Sequence, residues 1–239
     1  MVETKEELVC ALKGRSTIYQ FLVRAFSRPA NSSFLQWSHD MAPILDSLCS
    51  ELGSERALKG AREFSRAVTS LPPAEEDGVL ELRRQFTRLF RIGKEAVSLN
   101  ESVHRSATRL LKQEPWAQVR TYYLSAGFQV SADLNELEDH AAVELAFMHC
   151  LTEKALSAPD SGQKGDSRQV WLEKQRNFLD IHLNAWFLDV LDEVGERAEK
   201  TNASFYLGLS LIAKEFLQLD AQLLAAWTSK DAHSPSGES

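Results

Sequence analysis

The sequence predicts an all-α protein of about ten helices. Apolar residues recur at helical spacing along almost the whole chain, and no run alternates apolar and polar residues between hairpin turns. Only 11 of the 239 residues are glycine and 7 are proline, so turn-forming residues are scarce. Hydrophobic residues make up 44% of the chain, enough for a buried core. We therefore expect one globular helical domain over residues 1–230 and a disordered tail over residues 231–239.

Four helices are predicted in the first part of the chain. The first is predicted to end at the turn-forming residues before Ser33, and the next two cover residues 33–52 and 55–69. Pro43 predicts a kink or a break within the second helix. The fourth has acidic residues in its first turn and arginines toward its end, which suits the helix dipole, and stops near Gly93.

The middle of the chain predicts three more helices. Ser102 is a suitable N-cap for a helix over residues 102–113. Pro115 fits the first turn of the next helix, and Gly127 is placed to end it. A further helix is predicted from about residue 134 to just before Pro159.

The stretch of residues 157–167 is rich in glycine, serine, proline and aspartate. It predicts a hinge or a boundary between two lobes. Residues 168–230 contain no proline, and their apolar spacing predicts three more helices.

Charge and targeting signals narrow the class of function. The net charge of -7 argues against nonspecific binding to nucleic acid and suits a cationic partner better. The first residues are amphipathic and acidic, unlike a signal peptide, and no apolar run reaches the roughly 20 residues of a membrane span. Cys10, Cys49 and Cys150 are far apart without a CxxC pair, as expected of reduced thiols. We expect a cytoplasmic protein without stable membrane insertion.

Five acidic or basic side chains crowd into the stretch NELEDHAAVELAFM, residues 135–148. They are Glu136, Glu138, Asp139, His140 and Glu144. If the stretch is helical, His140 and Glu144 share one face, with Glu136 one turn earlier. This arrangement suits a metal ion, an acid/base pair or a cationic partner. For an isolated Asp-His pair, the simplest interpretation is the start of a helix.

Motifs for catalysis are missing. Zinc proteases need HExxH and di-iron bundles need two Glu-x-x-His motifs with two further glutamates, whereas this chain has one Glu-x-x-His, from Glu101 to His104. The sequence also lacks GxSxG, the GxxxxGK[ST] phosphate loop and GxGxxG. We therefore expect a protein that is not an enzyme.

Three apolar residues precede the irregular stretch that follows Gly93. Periodicity alone places Phe86, Leu89 and Phe90 in the core. Their position at the end of a helix also allows them to line a groove for an apolar peptide.

Several motifs occur together in a characteristic order. They are RSTIYQFLVRAFSRP at residues 15–29, QFTRLFRIG at 85–93, ESVHRSATRLLKQEP at 101–115, VRTYYLSAGFQV at 119–130 and LEDHAAVELAFMHCL at 137–151. Over residues 15–151 the chain resembles the TorD/DmsD/NarJ family of redox-enzyme maturation chaperones. It departs from the family pattern at Leu137, where proline is common, and at His104, where an aromatic residue is usual.

The resemblance implies a TorD-like all-helical chaperone in the cytoplasm. Such a chaperone binds the twin-arginine signal peptide of a molybdenum-cofactor oxidoreductase, delays export of the apoprotein and assists cofactor insertion. The resemblance also implies a signal-peptide site at Asp139, His140, Phe86, Leu89 and Phe90. In this site Asp139 pairs with an arginine of the peptide, and His140 orients that arginine or senses protonation. The three apolar residues bind the apolar part of the peptide. Chemistry alone adds the acidic candidates Glu136, Glu138 and Glu144. Further candidates are Tyr19 and Glu101.

Alternatives stay open at this point. The chain could be a helical adaptor in which Asp139 only caps a helix, or a protein in which His140 and Glu144 bind a metal. A transient contact with guanine nucleotide or molybdopterin is implied by resemblance only, and no other cofactor is expected. Domain swapping at residues 157–167 would give a dimer instead of a monomer.

Overall fold

The computed structural model describes residues 4–71, 76–131, 135–160 and 167–229. Within these ranges the regular secondary structure is helical, apart from one isolated antiparallel bridge between Asn100 and His140. The predicted all-α class is confirmed. The predicted tail and residues 161–166 of the predicted hinge lie outside the described residues, so both stay predictions.

Ten α-helices and one π-helical turn make up the described part of the chain. In chain order they are α1 (Lys5–Ser27), α2 (Ser32–Leu52), α3 (Glu55–Thr69), α4 (Glu76–Phe90), α5 (Glu101–Arg105), α6 (Glu114–Ser125), α7 (Ala141–Ser157), α8 (Arg168–Phe178), the π-helical turn (Leu179–Leu183), α9 (Asn184–Lys200) and α10 (Ser204–Ser229). None of the described helices is both long and apolar enough to cross a bilayer.

Local sequence signals place the first helices correctly. Asn31 and Ser54 cap α2 and α3 by accepting backbone hydrogen bonds from the third residue after each, which satisfies donors that the helix leaves free. Helix α2 continues through Pro43, so the predicted break is absent. Met41 and Leu45 on either side are both buried, and this burial offsets the backbone hydrogen bond that proline cannot donate.

The predicted bounds of α5 and α7 are wrong. Helix α5 begins at Glu101 and ends after five residues instead of running to residue 113, and Arg109 and Lys112 in the following segment adopt positive φ angles. Helix α7 begins at Ala141 with His140 as its N-cap, seven residues later than predicted. The acidic residues before His140 therefore belong to a loop, and the single helical face that the sequence suggested is not formed.

Helix α10 packs mainly against α3 and α9, and α1 packs mainly against α7. The α3–α10 contact is close because Gly208 faces the backbone of Phe64. A Cβ atom at Gly208 would lie 2.3 Å from the Phe64 amide nitrogen, which is far inside van der Waals contact. The missing side chain at this position is thus a requirement of the helix packing.

Gly208→Ala should force α3 and α10 apart. We expect a loss of about 1–3 kcal/mol in the free energy of unfolding, because the core is overpacked by one methyl group against backbone atoms. Denaturant unfolding followed by circular dichroism measures it. Gly14→Ala is the matched control, since nothing lies within 4 Å of its Cβ position and alanine favours the exposed helix by about 0.5–1 kcal/mol. Equal midpoints for both variants would contradict this account of the packing.

Candidate functional site

Asp139 is fully buried and joins two parts of the chain. Its carboxylate accepts hydrogen bonds from the Ser102 backbone N–H (2.9 Å), the Ser102 hydroxyl (2.5 Å) and the Asn100 side-chain amide (3.2 Å). Two of these donors lie at the start of α5, where a carboxylate also meets the positive end of the helix dipole. Asp139 therefore caps α5 from the loop that precedes α7.

His140 is buried beside it and caps α7. Its Nδ1 accepts a hydrogen bond from the Ala142 N–H at 3.1 Å, so this nitrogen carries no proton. Burial lowers the pKa of His140 to about 4, and the charge of Arg91 also lowers it, while Glu136 and Asp139 oppose the shift. The imidazole is neutral at pH 7, with its Nε2 at 3.8 Å from a Glu136 carboxylate oxygen.

Glu136 and Glu138 are partly exposed and define an acidic shelf. The shelf comprises Val130, Ser131, Asn135, Glu136, Leu137 and Glu138. Glu136 accepts a hydrogen bond from Arg91 at 2.6 Å. Glu138 accepts one from the Trp116 indole at 2.6 Å and lies 3.9 Å from Arg120. Both carboxylates thus already hold arginine side chains that reach in from the solvent side.

An apolar cleft of about 160 Å³ adjoins the shelf. It is lined by Tyr123, Phe128, Gln129, Val130, Ser131, Val143, Ala146, Phe147 and Cys150. Val130 and Ser131 belong to both the cleft and the shelf. The cleft is smaller than the roughly 300 Å³ of a usual small-molecule pocket and suits apolar side chains of a peptide.

Two further carboxylates, Glu101 and Glu144, are fully buried. Glu101 forms an ion pair with Arg105 and lies 3.2 Å from Nδ1 of His182. Glu144 accepts a hydrogen bond from the Trp186 indole at 3.2 Å, and its other oxygen has no hydrogen-bond partner. Burial raises the pKa of Glu144 well above its ordinary value, and the charge of Glu101 adds to the shift.

The predicted apolar residues of α4 lie in the core. Phe86 and Leu89 are buried, and the half-buried Phe90 packs its ring against Phe26 and Tyr206. They do not line the shelf or the cleft. Their predicted contact with a signal peptide stays a prediction, and it would require the core to open at this place.

Tyr19 belongs to a different network. Its hydroxyl donates to Asp220 at 2.6 Å, and Arg15 forms a two-point ion pair with the same carboxylate. All three side chains are buried between α1 and α10. The network fastens these two helices, and a direct peptide contact of Tyr19 also stays a prediction.

The aromatic walls of the cleft were not predicted from the sequence. Gly127, at φ +78°, turns the chain after α6, and the Phe128 N–H then bonds back to the Tyr123 carbonyl at 2.9 Å. This turn places Phe128 beside Phe147, with ring centroids 5.3 Å apart. The signal was present as aromatic residues on both sides of a helix-ending glycine.

The metal alternative gains no support from this geometry. In the part of the chain that the structure describes, no group of three or more His, Cys, Asp and Glu side chains is arranged to hold a metal ion. Glu136 lies in the loop, so it is not one helical turn before His140 on α7.

Comparison with known proteins agrees with the motif order. The sequence model for the nitrate reductase delta subunit family matches residues 51–192, which is more than half of the chain. The chain belongs to the nitrate reductase delta subunit family. This confirms the predicted resemblance to the TorD/DmsD/NarJ chaperones.

Relatives of this family member are named as chaperones. The chain is 27% identical over 222 residues to the chaperone protein TorD of Vibrio cholerae, covering 92% of this chain and 96% of that protein. The TorD of Shewanella oneidensis is 27% identical over 219 residues, which cover 88% of this chain and 90% of the relative. A perchlorate reductase assembly chaperone protein of Dechloromonas aromatica is 34% identical over 106 residues, 44% of each chain. The family member is thus classed with chaperones and not with enzymes.

Asp139→Ala should destabilise the fold. Removing the carboxylate leaves two buried donors at the start of α5 without partners, and we expect a loss of about 2–4 kcal/mol in the free energy of unfolding. Urea unfolding at pH 7 measures it. Asp40→Ala is the control, because Asp40 is exposed and accepts one hydrogen bond, from Gln36, so a change within about 0.5 kcal/mol is expected. A wild-type midpoint for Asp139→Ala would show that the cap contributes nothing.

The buried His140 should make the protein less stable in mild acid. The unfolded chain binds a proton at this residue below about pH 6.5, whereas the folded chain resists protonation down to about pH 4. Stability should therefore fall by up to about 3 kcal/mol between these values. His140→Asn keeps a capping side chain without a titratable ring, so its unfolding free energy should depend less on pH over this range. Identical pH profiles would contradict a neutral, buried His140.

Proposed function

We propose that this protein is a maturation chaperone for a molybdenum-cofactor oxidoreductase, its client. It binds the twin-arginine signal peptide of this client on the acidic shelf and in the apolar cleft. It acts in the cytoplasm, where it holds the apoprotein back from export and assists cofactor insertion. Family membership and the names of the relatives support the chaperone role.

The proposal that the peptide binds here rests on the fact that the acidic shelf and the apolar cleft adjoin each other. A twin-arginine signal peptide presents guanidinium groups followed by an apolar segment. The shelf offers Glu136 and Glu138, and the cleft that shares Val130 with it offers apolar walls. Carboxylates bind guanidinium through strong charge-assisted hydrogen bonds, and the planar fork of arginine matches them better than lysine does.

The resident arginines do not prevent this binding. The side chains of Arg91 and Arg120 are about half exposed, and ion pairs at such positions contribute only about 0–1 kcal/mol. A client arginine can therefore replace them at little cost. The apolar segment supplies further binding energy when it leaves water.

Asp139 and His140 support the site indirectly in this proposal. The Asp139 carboxylate already accepts three hydrogen bonds, so we assign it to holding the loop of the shelf against α5. His140 lies behind Glu136 and starts α7. Helix α7 supplies Val143, Ala146 and Phe147 to the cleft. Loss of either residue would weaken peptide binding by moving the shelf relative to the cleft.

Titration calorimetry with a twin-arginine signal peptide tests this function. The double variant Glu136→Gln/Glu138→Gln should bind about tenfold or more weakly, because two charge-assisted contacts lose their charge. Glu196→Gln/Glu199→Gln changes the net charge equally on the exposed side of α9 and should bind like the wild type. A Lys-Lys peptide should bind more weakly than the Arg-Arg peptide.

The apolar part of the site is tested separately. Ala146→Phe places a large side chain in the cleft and should weaken binding of the same peptide while the shelf stays intact. Full affinity of both this variant and the shelf variant would move the peptide elsewhere on the protein. No binding by the wild type to signal peptides of several molybdoenzymes would favour the helical adaptor.

A further inference from the structure

Arg105 reaches from the protein surface to the buried carboxylate Glu101. Its guanidinium forms an ion pair with Glu101 and donates to the Ile181 carbonyl at 2.9 Å. Its side chain is 34% exposed, whereas Glu101 has no exposure at all. The Ile181 carbonyl belongs to the π-helical turn, which also carries His182 against Glu101. An arginine that is partly exposed thus reaches a carboxylate that is fully buried.

This buried network contains one carboxyl oxygen without a hydrogen-bond partner. One oxygen of Glu144 is buried without a hydrogen-bond partner, although its other oxygen is held by Trp186. Buried polar atoms in folded proteins nearly always have partners. The unpartnered Glu144 oxygen therefore indicates that a further hydrogen-bonding group can bind at this place.

We propose that Arg105 occupies a guanidinium site and that one arginine of the client peptide displaces it to bind Glu101 and Glu144. This inference rests on the proposed function and adds a second, inner arginine site to the acidic shelf. The inner site lies close to the cleft, because Tyr123 lines the cleft and also senses both carboxylates. Burial raises the pKa of the Tyr123 hydroxyl, and the charges of Glu144 and Glu101 raise it further.

Exchange of one arginine for another makes entry to the inner site possible. Uncovering Glu101 alone would leave a buried charge unpaired at a cost of several kcal/mol. A client guanidinium that enters as Arg105 leaves keeps Glu101 paired throughout. The client guanidinium also has donors for the unpartnered Glu144 oxygen, so the exchange adds a contact. Lysine cannot replace it, since its single ammonium group does not provide the planar set of donors.

Entry of a guanidinium should release a proton from Glu144. Glu144 faces Glu101 and Arg105 from α5, Asp139 from the preceding loop, Tyr123 from α6 and Trp186 from α9. Burial raises its pKa and so favours the neutral carboxyl group, whereas a nearby guanidinium favours the carboxylate. Binding should therefore weaken as the pH falls, and its heat should depend on the ionisation enthalpy of the buffer.

Glu144→Gln is the decisive variant. Glutamine keeps the size of a neutral carboxyl group, so the fold should persist, but it cannot become a carboxylate. The twin-arginine peptide should bind about tenfold more weakly than to the wild type, and the buffer dependence should disappear. Wild-type affinity together with wild-type proton release would overturn the inner site and leave the function proposed above intact.

Arg105→Ala removes the internal competitor. Its affinity for the same peptide should rise about threefold to tenfold, because no resident guanidinium has to be displaced. Arg66→Ala on α3 is the control, since Arg66 is exposed and also pairs with a glutamate of its own helix, and it should bind like the wild type. Unchanged or weaker binding by a folded Arg105→Ala protein would contradict displacement.

A small probe tests the inner site without any peptide. N-acetylarginine amide at millimolar concentration should raise the melting temperature of Arg105→Ala more than N-acetyllysine amide does, and should affect the wild type less. Failure of this preference would overturn the site. If the wild type binds no signal peptide while the preference is seen, the proposed function fails and the guanidinium site stands. Should Arg105→Ala not fold, the Glu144→Gln titrations decide.

Discussion

The carboxylate of Asp139 joins the beginnings of two helices, and the rest of the site depends on this contact. It holds the start of α5 through Ser102. Backbone hydrogen bonds on both sides, from Glu101 to Asp139 and from Ala141 to Leu99, each measure 2.8 Å and continue the connection. The loop is therefore fixed between two helices, and its Glu136 and Glu138 stay partly exposed, whereas Glu101 of α5 is buried. A buried charge is acceptable here because it is fully hydrogen-bonded.

Three buried carboxylates of this region are stabilised in three different ways. Asp139 relies on hydrogen bonds from α5 and Glu101 on the positive charge of Arg105, while burial raises the pKa of Glu144 and so favours its neutral form. Leaving any one of them ionised and unpaired would cost several kcal/mol, a large part of the stability of a typical domain. Each solution has a different consequence: the first is rigid, the second can be exchanged for another cation, and the third can release a proton. Binding chemistry is thus expected at Glu101 and Glu144 more than at Asp139.

The sequence predicted the helices that carry their own signals and failed where the signals come from distant residues. Helices α1 to α3 have N-caps next to their own stretches, and the predicted bounds of α1 to α4 differ from the structure by a few residues at most. The start of α5 is fixed by a hydrogen bond from the Ser102 N–H to a carboxylate 37 residues away, which no local pattern reveals. The acidic residues of the shelf, Glu136 and Glu138, were predicted from their charge and their position in one stretch of the sequence. The cleft was not, since it forms only when the turn at Gly127 brings α6 and α7 together.

Two of the sequence motifs are halves of one interaction. ESVHRS contributes Ser102, Glu101 and Arg105, while LEDHAAVELAFM contributes Asp139 and Glu144. Changing Asp139 leaves donors of the first motif unpaired, and changing Ser102 removes its hydroxyl, one of the hydrogen-bond donors of the buried Asp139 in the second motif. A loss of peptide affinity on mutation of Asp139 would therefore not place that residue in contact with the peptide, because the same mutation moves the carboxylates of both motifs. Binding and stability have to be measured on the same variants, since a loss of affinity indicates a direct contact only where the fold keeps its stability.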